Sequence, residues 1–256
     1  MQHLFSPEGD AALAAAMRLR PLMAFDFDGT LAHIVARPQD ARISTAVATR
    51  LKRLARQLPV AIVTGRAAGD VRERLGFEPH YIVGNHGAED EANRRRADAL
   101  RGALDPLRET LAARADALSA ACVTVEDKGQ SIALHYRLSR DRDAALALID
   151  DLLAPQRRDL HIFAGKMVVN ATAADAPDKA DAVRALLQRC KARSAFFAGD
   201  DVNDEPVFEA AAPDWLTVRV GRPEAASLAR FYLHGPQEMA LLLDRALAAL
   251  SQPAAR

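Results

Sequence analysis

Two cysteines in 256 residues, Cys122 and Cys190, are too few for a disulfide framework, and no C-x-x-C pair offers metal-ligand spacing. Both thiols read as small core residues in a reducing compartment. Net charge is missing too: 34 Lys and Arg balance 34 Asp and Glu, which removes any global attraction to nucleic acid. No apolar run reaches the length of a membrane span. The first residues lack the basic segment and long apolar core of a signal peptide, since Ala11 to Met17 is short and Ala-rich. With 50% hydrophobic and 27% charged residues, the expectation is a soluble globular protein in the cytoplasm, with neither nucleic acid nor membrane as partner. The length suits one large domain or a core with an insertion.

What the chain does have is concentrated early. Leu22-Met23-Ala24-Phe25 is a short apolar run that ends abruptly in Asp26-Phe27-Asp28-Gly29-Thr30-Leu31. Bounded by Pro21 and Gly29, it reads as a strand buried on both faces. Residues two apart on extended backbone share a side, so Asp26 and Asp28 can face one site. Two carboxylates there repel each other unless a cation or proton joins them.

Around this strand the pattern alternates. A leading helix is expected over Asp10 to Arg20. Ser44 caps a helix to about Gln57, with Val47, Leu51, Leu54 and Leu58 on one face. Val60 to Val63 is a second strand, closing on Thr64-Gly65-Arg66, and a helix through Val71 and Leu75 stops at Gly76. Tyr81-Ile82-Val83 leads into Gly84-Asn85-His86-Gly87-Ala88-Glu89. After Pro177 the alternation resumes: a helix with Lys179 in its first turn, the strand Ala195 to Ala198, and the strand Leu216 to Val220. A last helix begins at Pro236, and residues 251–256 read as a loose tail. This is the pattern of an α/β fold, a doubly wound, Rossmann-like parallel sheet with crossover helices.

Between residues 98 and 174 the pattern differs. A long helix from about Leu100 to Leu118 precedes two alternating strands, Cys122 to Glu126 and Ser131 to Tyr136, turning at Lys128-Gly129. A helix from Arg142 to Leu153 precedes another pair, Leu160 to Phe163 and Met167 to Val169, turning at Gly165. Helix-strand-strand twice over reads as an α+β domain inserted into a core of residues 1–97 and 175–256. The Arg94-Arg95-Arg96 run before it reads as a solvated linker face.

In an open α/β sheet, ligands collect at the carboxyl ends of the strands. Asp26, Asp28, Thr64, Lys179 and the cluster Asp200, Asp201, Asp204 can all reach that edge. Carboxylates suit a hard divalent ion, and magnesium takes one or two of them together with phosphate oxygens. Asp26 is then the best nucleophile, with Lys179 and the ion cancelling charge. The Thr64 hydroxyl and nearby amides can hold phosphate oxygens, and Asp28 can protonate a leaving alkoxide and later activate water. Asp201 and Asp204 have two readings, as caps of the following helix or as support for the ion.

Asp26-Phe27-Asp28-Gly29-Thr30-Leu31, Thr64-Gly65-Arg66, Lys179 and Gly199-Asp200-Asp201 with Asp204 resemble the four motifs of the haloacid dehalogenase superfamily, in order. The D-x-D form resembles its phosphatases and phosphomutases. The resemblance implies magnesium held by the Asp26 side chain, the Asp28 main-chain carbonyl and Asp200, and a cap domain formed by the insertion.

A narrower resemblance is to trehalose-6-phosphate phosphatases. It is carried by Gly84 to Glu89, by Glu126-Asp127-Lys128-Gly129 with Leu134-His135-Tyr136-Arg137, and by Gly199 to Glu205. It implies a phosphorylated disaccharide as substrate, with His86, Gly87, Glu89 and Lys128 facing the sugar, and Thr64, Gly65, Arg66, Arg137, Asn170 and Lys179 as further contacts. Asn203 joins Asp201 and Asp204 in the supporting role. Asn170 stands where the family has Glu, Ala180 where it has Gly and Asn203 where it has Thr. Asn170 keeps hydrogen-bonding capacity but no charge. The implied activity is release of trehalose and phosphate from trehalose 6-phosphate. The alternatives are the same chemistry on another sugar phosphate or a glycosyl-glycerate phosphate, a phosphomutase, or a silent sugar-phosphate-binding protein. Silent relatives lose the nucleophile or the metal carboxylates, and both stand here. Oligomeric state is not legible.

Overall fold

The computed structural model describes residues 1–90, 92 and 94–251; of the expected tail, Ser251 instead ends the last helix and the rest lies outside the described residues. The chain opens with β1 (Gln2–His3), α1 (Pro7–Arg18), β2 (Leu22–Phe25), α2 (Thr45–Leu54), β3 (Val60–Val63), α3 (Ala68–Arg72) and β4 (Tyr81–Gly84). Its middle holds β5 (Glu89–Asp90), α4 (Arg94–Gly102), α5 (Asp105–Ala113), α6 (Ala115–Ala120), β6 (Thr124–Asp127), β7 (Ser131–His135), α7 (Arg142–Leu153), β8 (Leu160–Gly165) and β9 (Val168–Ala173). Then come α8 (Lys179–Cys190), β10 (Ala195–Gly199), α9 (Glu205–Glu209), β11 (Leu216–Val220), β12 (Phe231–Leu233) and α10 (Met239–Ser251). The chain divides into two compact units, Met1–Gly87 with everything from Asp178 onward, and Ala88–Pro177.

In the first unit the strands run parallel in the order β1-β12-β11-β10-β2-β3-β4. The chain winds from β2 outward through β3 and β4, then returns to β2's other flank with β10, β11 and β12. The order therefore reverses between β2 and β10, the switch point of a doubly wound sheet. Side chains alternate between two cores. Met23, Phe25, Phe196 and Ala198 join α1, α2 and α10 on one face, whereas Leu22, Ala24, Ala195 and Phe197 join α8 and α9 on the other. Burial on both faces explains why β2 and β10 are apolar throughout.

Caps set the helix starts. Ser6 Oγ accepts from Gly9 N at 3.1 Å, with Pro7 at the first helical position, so α1 begins ahead of the expected Asp10. Ser44 Oγ accepts from Val47 N at 3.2 Å, as the sequence suggests. Helix α3 stops at Arg72 and continues as turns to Gly76, which takes φ +64°. The strands β1 and β12 escape sequence reading because they are two and three residues long at the sheet's outer edge. There His3 Nε2 meets Glu238 Oε2 at 3.1 Å and His3 Nδ1 accepts from Phe5 N at 3.2 Å, so both ring nitrogens are engaged within the chain.

The second unit is an antiparallel sheet in the order β6-β7-β9-β8, with Leu107, Leu111, Ile149 and Leu152 from its helices, and Leu104 from the turn before α5, packed in one core with Ile132 and Leu134. The single long helix expected over Leu100 to Leu118 is instead three. Pro106 lies in the first turn of α5 and has no amide to extend α4, and Arg114 at φ −117° ends α5. Ala88 and Leu100 share a small cluster with Ala173, which places the start of the unit at Ala88, ahead of the pattern change near residue 97. Strand β7 is buried from Ser131 through Leu134 and does not alternate. The β8–β9 turn lies at Lys166-Met167, where Met167 has φ +62°. The cysteines depart from expectation too: Cys122 is exposed in the turn before β6, and Cys190 is half-buried at the end of α8. Among the described residues, no helix is long and apolar enough to cross a membrane.

Candidate active site

The switch point collects four of the expected groups. Asp26 follows β2 and is tied to its neighbour by Asp26 N donating to Ala198 O at 2.9 Å. Asp200 follows β10, Thr64 follows β3, and Lys179 opens α8 behind a capping box formed by Asp178 and Asp181. Lys179 is only 1% exposed, and its ammonium lies 3.2 Å from Asp26 Oδ1 and 2.7 Å from Asp204 Oδ1. Asp26, Asp200 and Asp204 bring one oxygen each within 4.8 Å of one another.

Asp204 is held most tightly. Besides Lys179, its Oδ2 accepts from Asp200 N at 2.8 Å and Asp201 N at 3.0 Å. The two aspartates differ in what they touch. Asp204 is the buried anchor of the loop, whereas Asp201 caps the short turn over Val202–Asp204, accepting from Val202 N at 2.8 Å. Asn203 Nδ2 donates to Asp201 Oδ2 at 3.5 Å.

The electrostatics are unbalanced. Three buried carboxylates face one buried ammonium, an excess of negative charge that a divalent cation would cancel. Burial pushes the Asp26 carboxyl well above the ordinary carboxylate range; Lys179 pulls it back, and Asp204, Asp200 and Asp28 push with burial. Burial works against the Lys179 ammonium, and Asp204 and Asp26 outweigh it, holding its pKa above the usual lysine value. The donors are hard carboxylate oxygens, which fit magnesium.

Glycines let these groups approach. Gly29 takes φ +77°, and a Cβ there would lie 2.0 Å from Asp200 Oδ2. The backbone strain alone costs about 1–2 kcal/mol for alanine, and Asp200 must move as well. Gly29→Ala is therefore expected to melt at least about 2–8 °C lower. An unchanged Tm in a thermal scan would show that the turn is not held as described.

Asp28 does not join the cluster through its side chain. Arg66 grips it with Nε to Oδ2 at 2.6 Å and Nη2 to Oδ1 at 2.8 Å. Thr64 is 1% exposed, and its Oγ1 accepts from Arg66 N at 3.2 Å. Gly65 makes room for His86: a Cβ would meet His86 Cε1 at 2.3 Å. His86 is buried at φ +59°, with its amide donating to Thr64 O, and Gly87 follows at φ +120°. Sequence reasoning missed Asp70, which pairs with both Arg66 and Arg74; its signal is the i, i+4 spacing on either side.

The remaining expected contacts belong to the second unit. Lys128, in the β6–β7 turn, lies 3.6 Å from Glu126, which also meets His135 at 2.9 Å. Asn170 is 3% exposed in β9, between Ala133 and Phe163. Glu89 is half-buried in β5, and Arg137 is exposed just past β7.

The sequence model of the trehalose-phosphatase family matches residues 24–233. This chain belongs to the trehalose-phosphatase family. Among its curated relatives, a trehalose-phosphate phosphatase of Mycobacterium marinum is 33% identical over 91% of this chain and 63% of its own length. The chain thus spans less than two thirds of that relative. An uncharacterized glycosyl hydrolase of Mycobacterium tuberculosis is 35% identical over 75% of the chain but only 15% of its own length. The fold likeness extends to the C-terminal domain of Candida albicans trehalose-6-phosphate phosphatase, with TM-score 0.76 and 18% identity over 93% of this chain and 96% of that one. Sucrose-phosphatase from Synechocystis gives TM-score 0.59 and 19% identity over 88% and 98%. As in the other trehalose-phosphatases, the fold is that of the haloacid dehalogenase superfamily.

Proposed function

We propose that this protein is a magnesium-dependent phosphatase that hydrolyses trehalose 6-phosphate to trehalose and phosphate through an aspartyl-phosphate. The observation that carries the reading is Asp26, buried beside Lys179 at 3.2 Å where the strand order reverses, in a trehalose-phosphatase chain. In the first half, an Asp26 carboxylate oxygen attacks phosphorus, the bond to the sugar oxygen breaks, and Asp28 in its acid form delivers a proton to that oxygen. In the second half, water attacks the acyl phosphate while Asp28 takes its proton. The bond to Asp26 breaks, and phosphate leaves.

Lys179 supplies positive charge beside the transferring group, and the Thr64 hydroxyl offers a donor to a phosphate oxygen. The Asp26 side chain, the Asp28 main-chain carbonyl and Asp200 would hold magnesium, which neutralises phosphate charge when bound. His86, Gly87, Glu89, Lys128, Arg137 and Asn170 are the proposed sugar contacts, on the strength of their motifs. Asn170 in place of Glu favours one second reading, the same chemistry on another sugar phosphate.

Phosphate release from a panel of sugar phosphates decides between them. The expected result is a kcat/KM for trehalose 6-phosphate at least about ten-fold above glucose 6-phosphate, a difference of about 1.4 kcal/mol in transition-state binding. Chelation with EDTA is expected to abolish turnover and added magnesium to restore it. Preference for a different sugar phosphate would replace the substrate assignment; activity indifferent to chelation would refute the metal requirement.

A further inference from the structure

The arginine of Thr64-Gly65-Arg66 is grouped by sequence with the substrate contacts, but its guanidinium is already occupied. Nε and Nη2 clamp the two Asp28 oxygens at 2.6 and 2.8 Å, Nη2 also donates to Pro38 O at 2.9 Å, and Nη1 donates to Asp70 Oδ2 at 2.8 Å. Four of its five N–H donors are thereby committed. The guanidinium carbon lies over the fully buried Phe27 ring, 5.3 Å from its centre. Arg74 grips both oxygens of Asp70, sharing Oδ2 with Arg66, and donates to Gln39 O.

The result is a braced line from Arg74 through Asp70 and Arg66 to Asp28. A two-point fork sets both the position and the plane of a carboxylate, which a single bond leaves free. The Arg66 side chain is 12% exposed, whereas that of Asp28 is 41% exposed. The clamp therefore holds Asp28 from behind and leaves its other edge open.

We propose that Arg66 is a positioning residue that acts on the reaction through Asp28 and not by gripping the substrate phosphate. This rests on the reading above, in which Asp28 moves the proton. An orienting fork matters to the step in which Asp28 hands its proton to the leaving oxygen or takes one from water, because proton transfer needs donor and acceptor within hydrogen-bond reach.

A double-mutant cycle tests this in the magnesium-loaded protein, using its preferred sugar phosphate and p-nitrophenyl phosphate. Arg66→Gln is expected to lower kcat on the sugar phosphate about 10²-fold with KM within about three-fold, the pattern of a lost transition-state contribution. Arg66→Lys keeps the charge without the fork and is expected to recover only part of the loss. The decisive arm is Arg66→Gln combined with Asp28→Asn, expected to be no slower than Asp28→Asn alone. A KM rise of about ten-fold or more at constant kcat, or losses that multiply in the double variant, would overturn the inference, since a phosphate-gripping arginine acts whether or not Asp28 is present. If Arg66→Gln does not fold by circular dichroism, Arg66→Lys carries the same cycle. A wild type that hydrolyses neither substrate class would sink the underlying reading and this inference with it. Turnover with multiplied losses would sink the inference alone.

Discussion

Asp26→Asn is expected to lower turnover by on the order of 10⁴-fold or more while leaving the fold at least as stable as the parent. The two halves of this expectation have one cause. Asp26 is 5% exposed, with Asp200 and Asp204 as near neighbours, so burial and like charge disfavour its ionised form even against Lys179. Asparagine has nearly the same shape and keeps an oxygen for the Lys179 ammonium, but it carries no charge to desolvate and cannot form an acyl phosphate. Thermal unfolding should therefore show an equal or higher Tm without metal. Magnesium, which raises the melting temperature of a protein it binds only when folded, should raise that of the variant less than that of the parent. Residual phosphatase activity above about a tenth of the parent, which would need under about 1.4 kcal/mol of lost stabilisation, would remove Asp26 from the nucleophile role.

The placement of these carboxylates was legible because the sheet imposes a simple code. A strand buried on both faces must be apolar until it ends, so the change from Phe25 to Asp26, or from Ala198 through Gly199 to Asp200, marks a carboxyl end directly. Alternation of strands and helices then brings those ends to one edge. What could not be read was pairing between side chains far apart in sequence. Nothing in the sequence links Arg66 to Asp28, 38 residues away, whose carboxylate its nitrogens grip. Asp201 and Asp204 look alike until backbone geometry aims only the second inward. In the inserted unit the helix pattern over Leu100 to Leu118 keeps its apolar period through Leu104, Leu107 and Leu111, which masked the break at Pro106. Period reports which face is buried and says little about continuity.

Asp204 is where stability and chemistry meet, and Asp204→Ala is expected to damage both. Its two oxygens accept from Lys179 Nζ, Asp200 N and Asp201 N, and it is fully buried. Gly199 is packed so closely that a Cβ there would lie 2.3 Å from Asp204 Cγ, so the backbone of β10 and this carboxylate fit directly against each other. Truncation removes the nearer of the two carboxylates that meet the buried Lys179 ammonium and strands the buried amide of Asp200 and the half-buried amide of Asp201, and removing one partner of a buried ion pair costs about 3–5 kcal/mol. That loss corresponds to a Tm lower by roughly 6–20 °C for a chain of this size. Asp204→Asn preserves the shape but must turn an N–H toward either the ammonium or the two amides, so it should fall between alanine and the parent. The contrast with Asp26 is the test: Asp26→Asn should lose turnover at full stability, whereas Asp204→Ala should lose both together. An Asp204→Ala protein that unfolds at the parent's urea midpoint would show that Lys179 and the loop after β10 are held by something other than this carboxylate.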